Sequence, residues 1–266
     1  MGMIEFGGSA QIFLWLLVFV LGAVIGSFLN VCIYRIPARK SVVFPPSHCF
    51  KCDTSLRWYH NIPILSFLSL RGHCAFCGAT FSWRYPAIET LNGALFCLVF
   101  YYARFSWVTL VLFLFVSALV VVTFIDLDHQ IIPDVITLPG IPVGFLCSFV
   151  IPWVSWQDSL LGIAVGGGSL FLIAFLYELL TKKEGMGGGD VKLLAMIGAF
   201  CGWKVIFPVI FISSLIGTLV GIPLMFFKKG DARMAIPFGP FLAVGTFVYI
   251  FWGEMLFRWY LMLFAI

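Results

Sequence analysis

Two aspartates and four cysteines are the residues whose types and spacing can do chemistry. Asp126 follows the apolar run 107–125, and Asp190 follows Gly187, Gly188 and Gly189 at the mouth of another apolar run. An ionisable group at the edge of a membrane segment is costly and is read first as functional. Two carboxyls that meet cannot both ionise easily, so they share a proton. The ionised member then takes a proton from water while the protonated member polarises a carbonyl, which allows peptide hydrolysis without a metal. The competing reading makes each acid a solvated loop residue or a helix cap. Asp128 and Asp134 fit that reading, and Asp190 alone would suit an N-cap. The triple glycine before Asp190 favours catalysis, because missing side chains let an extended substrate approach the backbone. Free N–H groups where that helix begins can orient the peptide.

Cys49-Phe50-Lys51-Cys52 and Cys74-Ala75-Phe76-Cys77 form two Cys-x-x-Cys pairs separated by 21 residues. Four thiolates at this spacing suit tetrahedral zinc. With cysteine at all four positions no site is left open for water, so such a zinc is structural. Two disulfides or four free thiols are the alternative, disfavoured on a reducing cytosolic face. His48 and His73 each neighbour a cysteine and are alternative ligands, although surface positions are the simpler reading. Cys32, Cys97, Cys147 and Cys201 lie in or beside apolar segments and are expected to pack as small hydrophobes.

These residues must be positioned by a membrane scaffold. Of 266 residues 62% are hydrophobic and 11% charged, against roughly a quarter charged in an ordinary soluble domain. A spanning helix needs about 20 apolar residues. Eight segments qualify: 10–33, 87–104, 107–125, 135–152, 159–180, 191–204, 205–227 and 237–262. The division at 191–227 is the weakest, because Gly198, Gly202 and Pro208 interrupt it. The expected fold is therefore an all-α polytopic membrane protein of about eight transmembrane helices, with a small cytosolic zinc-binding insert between the first two spans. Residues 1–33 form the first anchor, 34–86 the insert, and 87–266 a seven-helix membrane domain. The anchor lacks a basic flank and a cleavage site, so it is read as retained.

Basic residues set the orientation. Arg35, Arg39, Lys40, Lys51, Arg57, Arg71 and Arg84 fill the first loop; Lys182, Lys183 and Lys192 border a second; Lys228, Lys229 and Arg233 fill a third. The first loop is therefore cytosolic, both termini face outward, and both aspartates lie at the cytosolic face. The formal net charge of +4 reflects this bias. Nucleic-acid binding is not expected, because no separate basic domain exists. Asp126, Asp128, Asp134, Glu184, Asp190 and Asp231 gather near the same face, and an acidic mouth would attract a basic peptide; a scatter of loop acids is the alternative.

At this point the chain resembles the bacterial type IV prepilin peptidases. The likeness rests on Gly26-Ser-Phe-Leu-Asn30-Val-Cys-Ile-Tyr-Arg35-Ile-Pro37, the two Cys-x-x-Cys pairs, Tyr85-Pro86-Ala-Ile-Glu89, the Asp126 motif and the glycine-rich Asp190 motif. The resemblance implies an enzyme of the bacterial inner membrane that cuts the basic leader from prepilins and pseudopilins at a Gly-Phe-type site on the cytosolic face. It implies methylation of the new N-terminal amine with S-adenosylmethionine as donor. It maps the catalytic aspartates onto Asp126 and Asp190, without metal in proteolysis, and the zinc ligands onto Cys49, Cys52, Cys74 and Cys77. It also implies a setting beside pilus or secretion machinery.

The methyl-transfer residues are less legible. No Gly-x-Gly-x-x-Gly after a strand is present, and Gly166-Gly167-Gly168 is read as helix packing. Asn30, Arg35 and Glu89 are candidates, as polar groups at span ends facing the insert; helix capping and interfacial anchoring explain them equally well. Rival readings are a presenilin-like intramembrane aspartyl protease without methyltransferase activity, which shares a Gly-x-Gly-Asp motif, an ion-coupled transporter with a zinc-binding loop, and a scaffold of a secretion machine.

Overall fold

The computed structural model describes residues 8–182, 187–227 and 237–264. Every regular element among them is helical. Nine α-helices run Gly8–Arg35 (α1), Leu65–Ser69 (α2), Arg84–Ala103 (α3), Trp107–His129 (α4), Asp134–Cys147 (α5), Trp156–Thr181 (α6), Gly188–Cys201 (α7), Ile206–Phe227 (α8) and Gly239–Phe264 (α9). All except the one-turn α2 coincide with the eight apolar segments read from the sequence. Five stretches are long and apolar enough to cross a membrane: Ser9–Arg35, Trp107–His129, Trp156–Thr181, Trp203–Pro223 and Gly239–Leu256. The other three fall short of that measure. α3 carries Arg84 and Glu89 in its first turns, and α5 and α7 have 14 residues each, about 21 Å against a hydrocarbon core of about 30 Å. The chain is a multi-pass helical membrane protein, and eight crossings are not established by helix length.

Two compact units divide the chain at Val121/Val122. In the first, α1 and α3 pack through small residues. A Cβ at Gly22 would lie 2.8 Å from Gly93 Cα, and one at Gly26 would lie 2.8 Å from Glu89 Cα. Buried Asn92 locks this seam. Its Nδ2 donates to Gly22 O at 2.7 Å and its Oδ1 accepts from Ser117 on α4 at 3.2 Å. Inside a membrane such close backbone approach and interhelical hydrogen bonding replace the hydrophobic drive.

The second unit uses the same device more tightly. A Cβ at Gly162 of α6 would sit 2.2 Å from Gly198 O of α7, and one at Gly166 would sit 2.6 Å from Leu194 O. Ser159 Oγ donates to Ala199 O at 2.8 Å. Gly166 and Gly167 thus pack as expected, whereas Gly168 meets nothing within 4 Å among the described residues. α7 ends where Gly202 turns the chain at φ +81, and α6 begins with a capping box between Ser155 and Asp158. α8 and α9 are joined by Ser213 Oγ, which donates to Phe241 O at 2.9 Å.

Candidate active site and thiol cluster

The insert gathers its cysteines by repeating one turn. Cys49 N donates to Thr54 O, Asp53 N to Cys49 O, and Leu56 N to Ser47 O. Cys74 N to Ala79 O, Gly78 N to Cys74 O and Phe81 N to Gly72 O repeat the pattern with every residue advanced by 25. The bridges His48–Ser55 and His73–Thr80 obey the same offset. Asp53 at φ 55 and Gly78 at φ 70 occupy equivalent left-handed positions. Asp53, for which composition offers no role, is therefore the turn residue of the first copy, a conformation Asp tolerates better than most side chains. The repeat is hidden in the sequence because only the cysteines and the preceding histidines are identical.

The four sulfur atoms all lie within 4.8 Å of one another, and Cys49 and Cys77 are 3.7 Å apart. Sulfurs around a tetrahedral zinc at about 2.3 Å are separated by roughly 3.8 Å, so the cluster has the size to hold such an ion. At Cys52 and Cys74 neighbouring hydrogen bonds favour the thiolate that binds metal, whereas at Cys77, despite the Ala79 amide, desolvation and the neighbouring thiols push the thiol up to about 11. The Thr54 side chain and then its amide hold Cys52 down at about 6, and the Phe76 amide lowers Cys74. His48 and His73 are not part of the cluster; His48 instead lies 3.6 Å from Asp53. The core beneath the sulfurs is small: Cys49, Cys74 and Ala79, with Cys52 and Phe81 against it. A metal would compensate for so little buried apolar surface.

Asn30, Arg35 and Glu89 all line one cavity of about 1000 Å³ in the first unit, together with Tyr34, His60 and Tyr85. Each is buried, and each makes a tie to backbone. Asn30 Nδ2 donates to Tyr85 O at 3.2 Å. Arg35 donates to Ser41 O at 3.0 Å and Pro46 O at 3.4 Å. Glu89 accepts the Ile64 N–H at 2.8 Å. Ile64 holds φ 63, ψ −52 and is closed by a Leu65 N to Pro63 O bond of 2.5 Å, which makes a strained three-residue turn around a β-branched residue. Glu89 thus fastens the most strained bend of the insert to α3.

In the second unit Asp126 lies inside α4, which runs on to His129 rather than ending at residue 125. It is 4% exposed, and its Oδ2 accepts the Gly239 N–H at 3.0 Å. Asp190 is not the N-cap of α7. Gly187 takes that place and Asp190 sits in the first turn, where the helix dipole suits a carboxyl. The two aspartates are close enough for their charges to interact. Asp190 Oδ1 is buried and has no hydrogen-bond partner among the described residues, an exception that asks for a chemical explanation.

Of the preceding glycines, Gly187 and Gly188 border open space among the described residues. A Cβ at Gly189 would lie 2.8 Å from Ile132 Cβ. Open backbone next to Asp190 fits peptide approach at the first two, while Gly189 serves packing.

Three features escaped the sequence reading. Gly239 touches Asp126, yet its Phe-Gly-Pro setting reads only as a helix start. Ile132 wedges between Gly189 and Gly239. Asp134, read as a solvated acid, pairs with Lys192 at 2.7 Å and ties the first turn of α5 to α7. Pro133 directly precedes α5. Glu184 and Asp231 of the acidic mouth, and Lys183, Lys228, Lys229 and Arg233, lie outside the described residues.

A helical membrane protein with two interacting aspartates in one unit, Asp126 buried and Asp190 half-buried, and a four-thiol cluster in the other is the class that fold and sites define. Residues 20–103 match the family model described as bacterial peptidase A24 N-terminal domain, and residues 113–222 match the type IV leader peptidase family. A relative from Stutzerimonas stutzeri, named prepilin leader peptidase/N-methyltransferase, is 36% identical over 97% of this chain and 97% of its own. One of the same name from Pseudomonas aeruginosa is 34% identical over 98% of each chain. Another from Xanthomonas campestris is 39% identical over 91% of this chain and 92% of its own. No solved structure matches the chain. The chain belongs to the type IV leader peptidase family.

Proposed function

We propose that this protein is a membrane aspartic endopeptidase that removes the basic leader from prepilins or pseudopilins and then N-methylates the exposed residue. The observation that carries the peptidase reading is buried Asp126 within electrostatic reach of half-buried Asp190, whose Oδ1 is buried without a hydrogen-bond partner among the described residues. In this reading the ionised carboxyl takes a proton from water, and the resulting hydroxide attacks the scissile carbonyl. The protonated carboxyl donates to the carbonyl oxygen. Collapse of the tetrahedral intermediate then returns a proton to the leaving amine. Gly187 and Gly188 leave room for an extended substrate beside the acids, and the pair titrates as a unit.

Cys49, Cys52, Cys74 and Cys77 would hold a zinc ion, whose contribution is to fold the 34–86 insert and not to cut peptide. The methyl donor, S-adenosylmethionine, would bind the cavity lined by Asn30, Arg35 and Glu89, in the same unit as the thiols. Bound there, the donor would supply a methyl group to the new N-terminal amine. A cavity near the upper end of the range for small-molecule sites supports this reading. Asn30 Nδ2, the Arg35 guanidinium and Glu89 Oε2 each hold backbone, and in this reading the three residues act by shaping the cavity. Under the same reading the eight apolar segments each cross the membrane, the charge bias of the loops places the active face in the cytosol, and the family resemblance implies the bacterial inner membrane, with residues 87–266 as the peptidase helices.

The test is cleavage of a purified prepilin by the parent, Asp126→Asn and Asp190→Asn, with mass spectrometry of the product with and without S-adenosylmethionine. Leader loss by the parent alone, with a methyl-sized gain on adding donor, supports both halves. Cleavage by both single variants defeats the aspartate assignment, and cleavage without mass gain defeats methylation. No observation favours a transporter, a scaffold or a peptidase lacking methyl transfer.

A further inference from the structure

We infer that Gly239 is a positioning residue of the peptidase site, whose main-chain N–H fixes the orientation of the Asp126 carboxyl; the inference rests on the aspartate reading above. Gly239 is buried, opens α9, and donates to Asp126 Oδ2 at 3.0 Å across 113 residues of sequence. A carboxyl that must present one oxygen to water cannot rotate freely about its χ2 bond, a soft torsion when nothing restrains it. The amide commits Oδ2 and so decides where the other oxygen points. The positive end of the 26-residue α9 adds to the attraction.

Glycine is required here for space and not for backbone conformation, since Gly239 does not hold a left-handed φ. A Cβ would lie 2.6 Å from Asp126 Oδ2 and 3.2 Å from Ile132 Cδ1. Backbone fixed in α9 cannot give way as a flexible side chain would, so any side chain at 239 displaces the carboxyl. Asp190 Oδ1 has no corresponding restraint among the described residues. The site therefore pairs one acid held by backbone with one whose oxygen is left for substrate.

The experiment uses the full chain in lipid and compares Gly239→Ala with Gly245→Ala. Gly245 lies on the same helix and is as crowded, its Cβ falling 2.6 Å from Ser213 Oγ, but it touches neither aspartate. Prepilin cleavage gives kcat and KM, and methylation of already cleaved pilin reports an intact protein. Gly239→Ala is expected to lose about 100-fold in kcat, the cost of a misplaced catalytic group, with KM little changed and methylation retained. Gly245→Ala is expected to keep kcat. Parental kcat in Gly239→Ala, or equal loss in Gly245→Ala, overturns the inference. If the single variant also loses methylation, Gly239→Ala with Ile132→Val, which removes the crowding Cδ1, should restore methylation and still cleave slowly; parental kcat there overturns it as well. Retained cleavage by Asp126→Asn would instead defeat the aspartate reading itself.

Discussion

In the insert, four thiols are gathered by two copies of one turn, Ser47–Leu56 and Gly72–Phe81, offset by 25 residues. In the second unit, two carboxyls are gathered by helices, and the amide that orients one of them comes from a third. The first site is local: its hydrogen bonds close within a few residues, and the four sulfurs that a metal would bridge bring the two halves together. The second depends on where α4, α7 and α9 come to rest. Damage to ligands should therefore stay within the insert, and damage to helix packing should reach the aspartates.

The sharpest way to break that contrast is the aspartate pair itself. Asp126→Asn and Asp190→Asn are each expected to lower cleavage by roughly 10²- to 10⁴-fold, the range for acid–base groups, leaving metal content at parental level by elemental analysis. Metal loss in either variant would show that the sites are not independent. Next in size, Cys52→Ser or Cys77→Ser is expected to release the metal and expose residues 34–86 to proteolytic nicking, because a structural metal supplies much of a small domain's folding energy. Methylation should fall further than cleavage; equal loss of both would deny the local character of the thiol site.

Smaller effects test the geometry. Asp53→Gly relieves a left-handed non-glycine position, and Gly78→Asp creates one. The pair should shift resistance of the bound metal to a chelator in opposite directions, by about 1 kcal/mol each. Smallest of all, Lys192→Met removes a half-exposed ion pair with Asp134. Its stability cost is expected at or below about 1 kcal/mol, read as a small change in melting temperature; a loss of several-fold in kcat would show that the pair also places α7.

What could be read from the chain follows the same division. The clustering of Cys49, Cys52, Cys74 and Cys77 was legible because two Cys-x-x-Cys pairs carry the residue type and spacing of a shared ligand set. Asp126 and Asp190 were legible because acids are rare in apolar sequence. The positions of the main helices were legible because apolar runs in a membrane have few other uses. Gly239 was not, since a glycine before a proline at a helix start has many ordinary reasons to exist. The continuation of α4 past Asp126 was hidden because Leu127, Asp128 and His129 end the hydrophobic run without ending the helix. Asp134 looked solvated because its partner Lys192 lies 58 residues away. The turn repeat was hidden because backbone hydrogen bonds can be alike while side chains differ.

The glycine seam between α6 and α7 has a consequence for how a long substrate enters. Where Gly162 and Gly198 meet backbone to backbone, neither helix can slide or roll without collision, so Asp190 rides on the stator of this machine. Movement that admits a peptide must then fall to the far side of the site, around Ile132 and the beginning of α9. Amide exchange at Leu194–Gly198 is accordingly expected to stay slow with and without prepilin, while exchange at Ile131, Ile132 and Gly239 slows when substrate arrives.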